Sequence, residues 1–189
     1  MPISTIGQNG LNAPLSLTSP ALGTPSALVL TNATGLPQAG LATGVAGTGP
    51  ACHVYLSADQ SISNATLTKI AFDTKVYDTA TCFSTSTNRF TPTVAGYYQV
   101  CLGMDASNST SGITRVNINI TKNGTQVFHG PDFNAAGTLS QNMSGLVYCN
   151  GSTDYIEGYG AVTAVSGPKF TGGYGGIYTY LTAVMVRSA

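Results

Sequence analysis

Charge is what this sequence has least of: 7% of its residues are Asp, Glu, Lys or Arg, against about a quarter in an average globular domain. Seven basic and seven acidic side chains cancel to a net charge of zero. Phosphate backbones are held by clustered Lys and Arg; none cluster here, so nucleic acid is not an expected partner. A surface so poor in charge does little to keep copies of the chain apart, which points to a protein that buries surface against other subunits. The plainer alternative is a neutral surface solvated by Ser, Thr and Asn. Long apolar runs are also missing. Nothing approaches the roughly 18–20 apolar residues that a membrane helix needs. The start, Met1-Pro2-Ile3-Ser4-Thr5, puts no basic residue before an apolar core, so no secretory signal is expected.

Four cysteines, Cys52, Cys82, Cys101 and Cys149, occur without any C-x-x-C spacing, which argues against a zinc or redox site. Without secretion, free buried thiols are the expectation and disulfides the alternative. On the same ground the seven N-x-S/T sequons, such as Asn64-Ala65-Thr66 and Asn123-Gly124-Thr125, follow from an Asn- and Thr-rich composition.

Catalytic constellations are equally scarce. There are two histidines, His53 and His129, far apart in sequence. Cys52 beside His53 has the residue types of a nucleophile–base pair, but a histidine at a strand start is the simpler reading. No G-x-S-x-G elbow is present. The glycines of Gly172–Gly176 precede a strand pattern, so no helix N-terminus follows to hold an anion. Asp73, Asp78 and Asp105 are isolated, while Asp154 and Glu157 share one strand edge. Calcium asks for about six to eight oxygen ligands, and glycoside hydrolysis asks for two acids across a groove; neither pattern is visible. The sequence therefore assigns no catalytic, cofactor-binding or metal-binding residue, and the expected protein is not an enzyme.

What is present divides in two. Residues 1–50 contain no charged residue and no histidine, yet hold six of the nine prolines and eight of the glycines. Pro and Gly at that density interrupt any helix. Ala27–Thr31 has the composition of one strand. The remainder reads as an extended arm, ordered by lying on another protein, with a linker as the alternative.

From about Cys52 the pattern becomes short strands between turn residues: Val54–Leu56, Thr68–Phe72, Lys75–Tyr77 and Arg89–Thr91. Tyr97–Met104 alternates, placing Tyr98, Val100, Leu102 and Met104 on one face. In Arg115–Thr121, Val116, Ile118 and Ile120 are expected to face inward, with Asn117 and Asn119 outward. Asn123-Gly124 is a two-residue hairpin signal, because a type I′ turn needs positive φ at both central positions. Leu146–Cys149 and Tyr155–Glu157 flank the turn Asn150-Gly151-Ser152. Short strands without amphipathic helices indicate an all-β sandwich or barrel. Ile177–Val186 is apolar or aromatic on both faces, unlike most antiparallel strands. Either neighbouring subunits cover its second face, the reading favoured here, or the chain's own loops do. Ten tyrosines, five of them Tyr155, Tyr159, Tyr174, Tyr178 and Tyr180, suit subunit interfaces or sugar faces.

Ile70–Asp78, Phe83, Arg89-Phe90-Thr91-Pro92 and Val94–Val100 together resemble the complement C1q/TNF-like globular domain. Lys122-Asn123-Gly124 matches its hairpin. Gly151 with Asp154–Glu157 is similar to its glycine–aspartate strand start, although two residues separate Gly from Asp here. The resemblance spans roughly residues 52–187 and departs from the family in Thr171–Gly176. It implies a jelly roll of about ten strands and a tight homotrimer about a three-fold axis, with the last strand at the trimer core. Leu22–Pro25, Leu30–Pro37 and Thr43–Gly47 are similar to segments of bacteriophage virion and fibre proteins.

The combined expectation is an all-β C1q/TNF-like jelly roll over residues 51–189 behind an extended N-terminal arm over 1–50. It is a virion structural protein forming a trimeric fibre or decoration knob at the virion surface. The expected trimer interface is Tyr97, Tyr178, Tyr180, Thr182, Val184 and Val186. The expected anchor to other virion proteins (capsid, tail or baseplate) is Leu22, Pro25, Leu28, Leu30, Leu36 and Pro37. The alternative is a receptor-binding module for a host-surface glycan or protein. No cofactor, nucleic acid or membrane enters either reading.

Overall fold

The computed structural model describes residues 49–107, 112–132 and 139–189. The strand expected at Ala27–Thr31 and the six anchor residues Leu22, Pro25, Leu28, Leu30, Leu36 and Pro37 lie outside them. The described residues form two antiparallel sheets face to face. In chain order the strands are β1 (Ala51–Tyr55), β2 (Gln60–Ser61), β3 (Thr68–Lys69), β4 (Thr74–Asp78), β5 (Phe83–Ser84), β6 (Arg89–Phe90), β7 (Ala95–Ser107), β8 (Ile113–Lys122), β9 (Thr125–His129), β10 (Leu139–Asn150), β11 (Ile156–Ala164), β12 (Lys169–Phe170) and β13 (Tyr180–Ser188). Five of these are two-residue pairings, which is why the number exceeds the ten or so expected. One sheet runs β2-β12-β7-β13-β1-β4, with β10 on the other side of β7. The second runs β5-β6-β11-β8-β9, with β3 also paired to β11.

The core lies between the sheets and follows the period of two. Tyr98, Val100, Leu102 and Met104 of β7 are fully buried, as are Val116, Ile118 and Ile120 of β8. Phe90 packs edge-on against Tyr98, ring centroids 5.5 Å apart. The Tyr98 hydroxyl donates to the Val94 carbonyl at 2.6 Å, so its one polar atom is satisfied in the core. Gly158 and Gly160 of β11 also face inward. A Cβ on Gly160 would lie 2.4 Å from Met104 Sδ and 2.9 Å from the Phe170 ring, so the missing side chain is the space those residues fill.

The turns are closed by the carboxylates and amides that looked isolated in the sequence. Asn123 and Gly124 have φ of 53° and 77°, the positive pair that the β8–β9 hairpin needs. Asn123 Oδ1 accepts from Tyr155 N, and its amide donates to Asp154 Oδ1 at 2.7 Å, tying this hairpin to the next turn. In that turn Asn150 Oδ1 accepts from the amides of Ser152, Thr153 and Asp154, each at 3.0 Å. Asp78 accepts from the Cys82 and Phe83 amides and from Lys75 Nζ. Asp73 accepts from the amide and hydroxyl of Ser57.

Two expectations are corrected. Asn117 and Asn119 are 4% and 2% exposed, although they alternate with the core residues of β8. They do point away from the core, but polar groups cover them: His129 Nδ1 donates to Asn119 Oδ1 at 2.7 Å, Asn119 donates to Asn117 Oδ1, and Asn117 donates to Asp132 Oδ1 at 2.9 Å. The last strand starts at Tyr180, not Ile177. A 3-10 turn at Tyr174–Gly176 carries positive φ at all three residues. Beyond it, the buried Thr179 hydroxyl donates to Thr171 O at 2.7 Å and accepts the Asp105 amide at 3.2 Å. Those bonds hold residues 177–179 in a connection rather than a ladder.

Candidate functional site

The two sheets differ in what they show to the outside. On the β7-containing sheet, alternation turns Tyr97, Gln99, Cys101 and Gly103 outward, and the registers of β13, β1 and β10 align rows across it. Val184 and Leu146 flank Gln99. Thr182 stands between Cys101 and His53. Tyr180 stands between Gly103 and Tyr55. Tyr97 and Tyr148 face each other across β7 and β10, ring centroids 5.5 Å apart. Leu146, Val184 and Val186 remain 51%, 46% and 56% exposed, and both tyrosines 41%. Two shallow depressions lie on this face. One of about 620 Å³ is lined by Tyr97, Leu146, Val186 and the chain end from Arg187. The other, about 320 Å³, is lined by Cys101, Asn142, Met143, Ser144 and Tyr180.

The structure thus brings five of the six expected interface residues, Tyr97, Tyr180, Thr182, Val184 and Val186, onto one face. Tyr178 precedes the strand and packs its ring on Tyr174 at 4.9 Å instead. Leu146, Tyr148 and His53 belong to the same face and were missed. The alternation of Leu146 and Tyr148 with the buried Val147 and Cys149 was the signal available for the first two. His53 sits between the edges of Tyr77 and Tyr180, at 5.9 and 5.8 Å. Its Nε2 is buried without a hydrogen-bond partner, and burial lowers its pKa from the ordinary 6.5.

This placement also decides the Cys52–His53 question. Adjacent residues on a strand point to opposite faces, so Cys52 is in the core and fully buried while its neighbour lies outside. Burial, with Asp78 nearby, pushes the Cys52 thiol up to about 12, and burial raises Cys149 to about 11. Neither is a thiolate nucleophile near neutral pH. All four cysteines are free. No three His, Cys, Asp or Glu side chains converge as a metal site among the described residues, and no helix among them is long and apolar enough to cross a membrane.

The outer face of the second sheet is polar. At its middle Glu157 of β11 is 2% exposed and receives Lys69 Nζ at 3.0 Å and Arg89 Nε at 2.9 Å. Its other oxygen has Tyr159 Oη at 3.4 Å and Thr121 Oγ1 at 3.5 Å. Burial alone would raise the Glu157 pKa; the bonds from Arg89 and Lys69 more than reverse this and hold it below its ordinary value. The Arg89 guanidinium lies over the Tyr155 ring, 3.9 Å from its centroid.

No protein-family model matches the sequence, and no curated protein matches it. Solved structures do. The globular domain of zebrafish complement 1qA protein superposes with a TM-score of 0.51 at 13% identity, over 74% of this chain and 99% of that one. Eiger TNF from S. frugiperda gives 0.56 at 10% identity, over 75% and 95%. Murine APRIL at pH 5.0 gives 0.55 at 11% identity, over 73% and 99%. The chain has the C1q/TNF jelly-roll fold.

Proposed function

We propose that this chain is a non-enzymatic structural protein that assembles as a homotrimer through the outer face of the β1-β13-β7-β10 sheet. The observation that carries the reading is the exposed strip of Tyr97, Leu146, Tyr148, Val184 and Val186. A contiguous apolar patch of this kind on a chain with so few charges marks an interface, and the fold is one in which trimers are common. Within this reading, residues 51–189 are the knob and residues 1–50 an uncharged arm that docks on other virion proteins, placing the knob at the surface of a bacteriophage particle. The similarity of Leu22–Pro25, Leu30–Pro37 and Thr43–Gly47 to segments of phage virion proteins is the ground for that location.

Light scattering of the full chain tests the assembly. Three chains are expected, with dissociation in the double variant Leu146→Asp/Val184→Asp. A monomeric wild type, or a variant that stays trimeric, overturns the interface. Particles assembled with residues 1–50 deleted should lack the protein; unchanged incorporation overturns the anchoring role. A second reading, a module that recognises a host-surface glycan, draws on the cation–aromatic group at Arg89 and Tyr155.

A further inference from the structure

Six of the seven basic side chains are ion-paired, and they share five carboxylates. The pairs are one to one except at Glu157, where Lys69 and Arg89 meet a single buried acid. That spot on the second sheet therefore sets two basic groups against one acid, one net positive charge on a chain whose total is zero. The charge is also held in place. Lys69 Nζ is fixed by Glu157 and by the Thr87 carbonyl at 3.0 Å. Arg89 lies over the Tyr155 ring and spends only its Nε on Glu157, so among the described residues its two terminal nitrogens have no hydrogen-bond partner. A guanidinium with that edge open offers two parallel donors, the fork that matches a carboxylate.

We propose that Arg89, with Lys69, Tyr155 and Tyr159 around the Glu157 carboxylate, forms a binding site for a carboxylated sugar, such as a uronic acid unit of an acidic polysaccharide. Arg89 receives the carboxylate. The half-buried rings of Tyr155 and Tyr159 border it with the amphipathic surface that sugar rings pack on. Ser84, Ser86 and the Thr87 backbone, on the adjoining β5–β6 turn, supply hydroxyls and carbonyls rather than further charge. One net charge among phenols and hydroxyls suits a single carboxylate on a hydroxyl-rich ring better than a multiply sulfated one, which needs several cations. This face is opposite the apolar one proposed for assembly.

Titration calorimetry of the full chain with polygalacturonate tests the assignment, beside carboxyl-reduced polygalacturonate, dextran sulfate and poly-glutamate. Binding of polygalacturonate alone is expected. Arg89→Lys, which keeps the charge but loses the fork, should weaken it about tenfold or more, whereas Arg115→Lys in the separate Asp132 pair should not change it. Melting curves confirm that both variants are folded. No binding of polygalacturonate by the wild type, or equal binding by Arg89→Lys, overturns the site. Equal or tighter binding of poly-glutamate or dextran sulfate overturns the sugar acid as its ligand.

Discussion

Replacing Glu157 by Gln keeps the shape of the side chain and removes one charge. Lys69 and Arg89, 3.0 and 2.9 Å away, would then face each other over a neutral amide. Breaking a fully buried ion pair costs about 3–5 kcal/mol. Here the acid is buried, but Lys69 and Arg89 are 32% and 38% exposed, so water screens what remains and about 1.5–3 kcal/mol is the fitting range. For a domain of this size that lowers Tm by about 5–10 °C. The pH dependence follows from the direction of the shift. The Glu157 pKa is held below its ordinary 4.5, so its stabilisation is present above that value and is lost as pH falls through the depressed one. Urea unfolding of wild type and Glu157→Gln at pH 7 should show the full gap, and at about pH 3 a smaller one. A variant within about 0.5 kcal/mol of wild type at pH 7, or a gap that does not shrink in acid, would refute the reasoning.

Gly151→Ala should unfold or severely destabilise the chain, because φ is +74° and the new Cβ would lie 2.3 Å from the Ala95 backbone nitrogen; circular dichroism melting of the variant checks this, and a Tm near wild type contradicts it. Tyr98→Phe leaves the Val94 carbonyl without its 2.6 Å donor, which should cost about 0.5–1.5 kcal/mol in urea unfolding with the sheet spectrum unchanged. His53, whose pKa burial lowers, contributes stability that is complete above the ordinary 6.5 and declines as pH falls towards the depressed value. His53→Gln should therefore flatten the loss of stability just below about pH 6.5, and an unchanged pH profile would rule the residue out as its source.

The local elements were legible because they obey short-range rules. The alternation of Tyr97–Met104 and of Val116–Ile120 placed the core residues of β7 and β8 correctly, since the period of two leaves one assignment with an apolar face inward. Asn123-Gly124 announced its hairpin through the conformational demand of the turn itself. Five of the expected interface residues share one face for the same reason: alternation carries Thr182, Val184 and Val186 away from Leu181 and Ala183. Tyr178 broke the pattern because distant bonds from Thr179 to Thr171 and Asp105 end the ladder before it.

What the sequence determined by itself was the class of fold and the inward residues, matters of composition and of neighbours a few positions apart. What only the tertiary structure decided was which outward residues meet. Asn117 and Asn119 read as solvent-facing until His129 and Asp132 closed over them. Glu157 read as one acid on a strand edge until β3 and β6 brought Lys69 and Arg89 to it from 88 and 68 residues away. Sequence period sets the side of the sheet a residue takes, but the partners it finds there come from strand order, and strand order is chosen by the packing of the whole core.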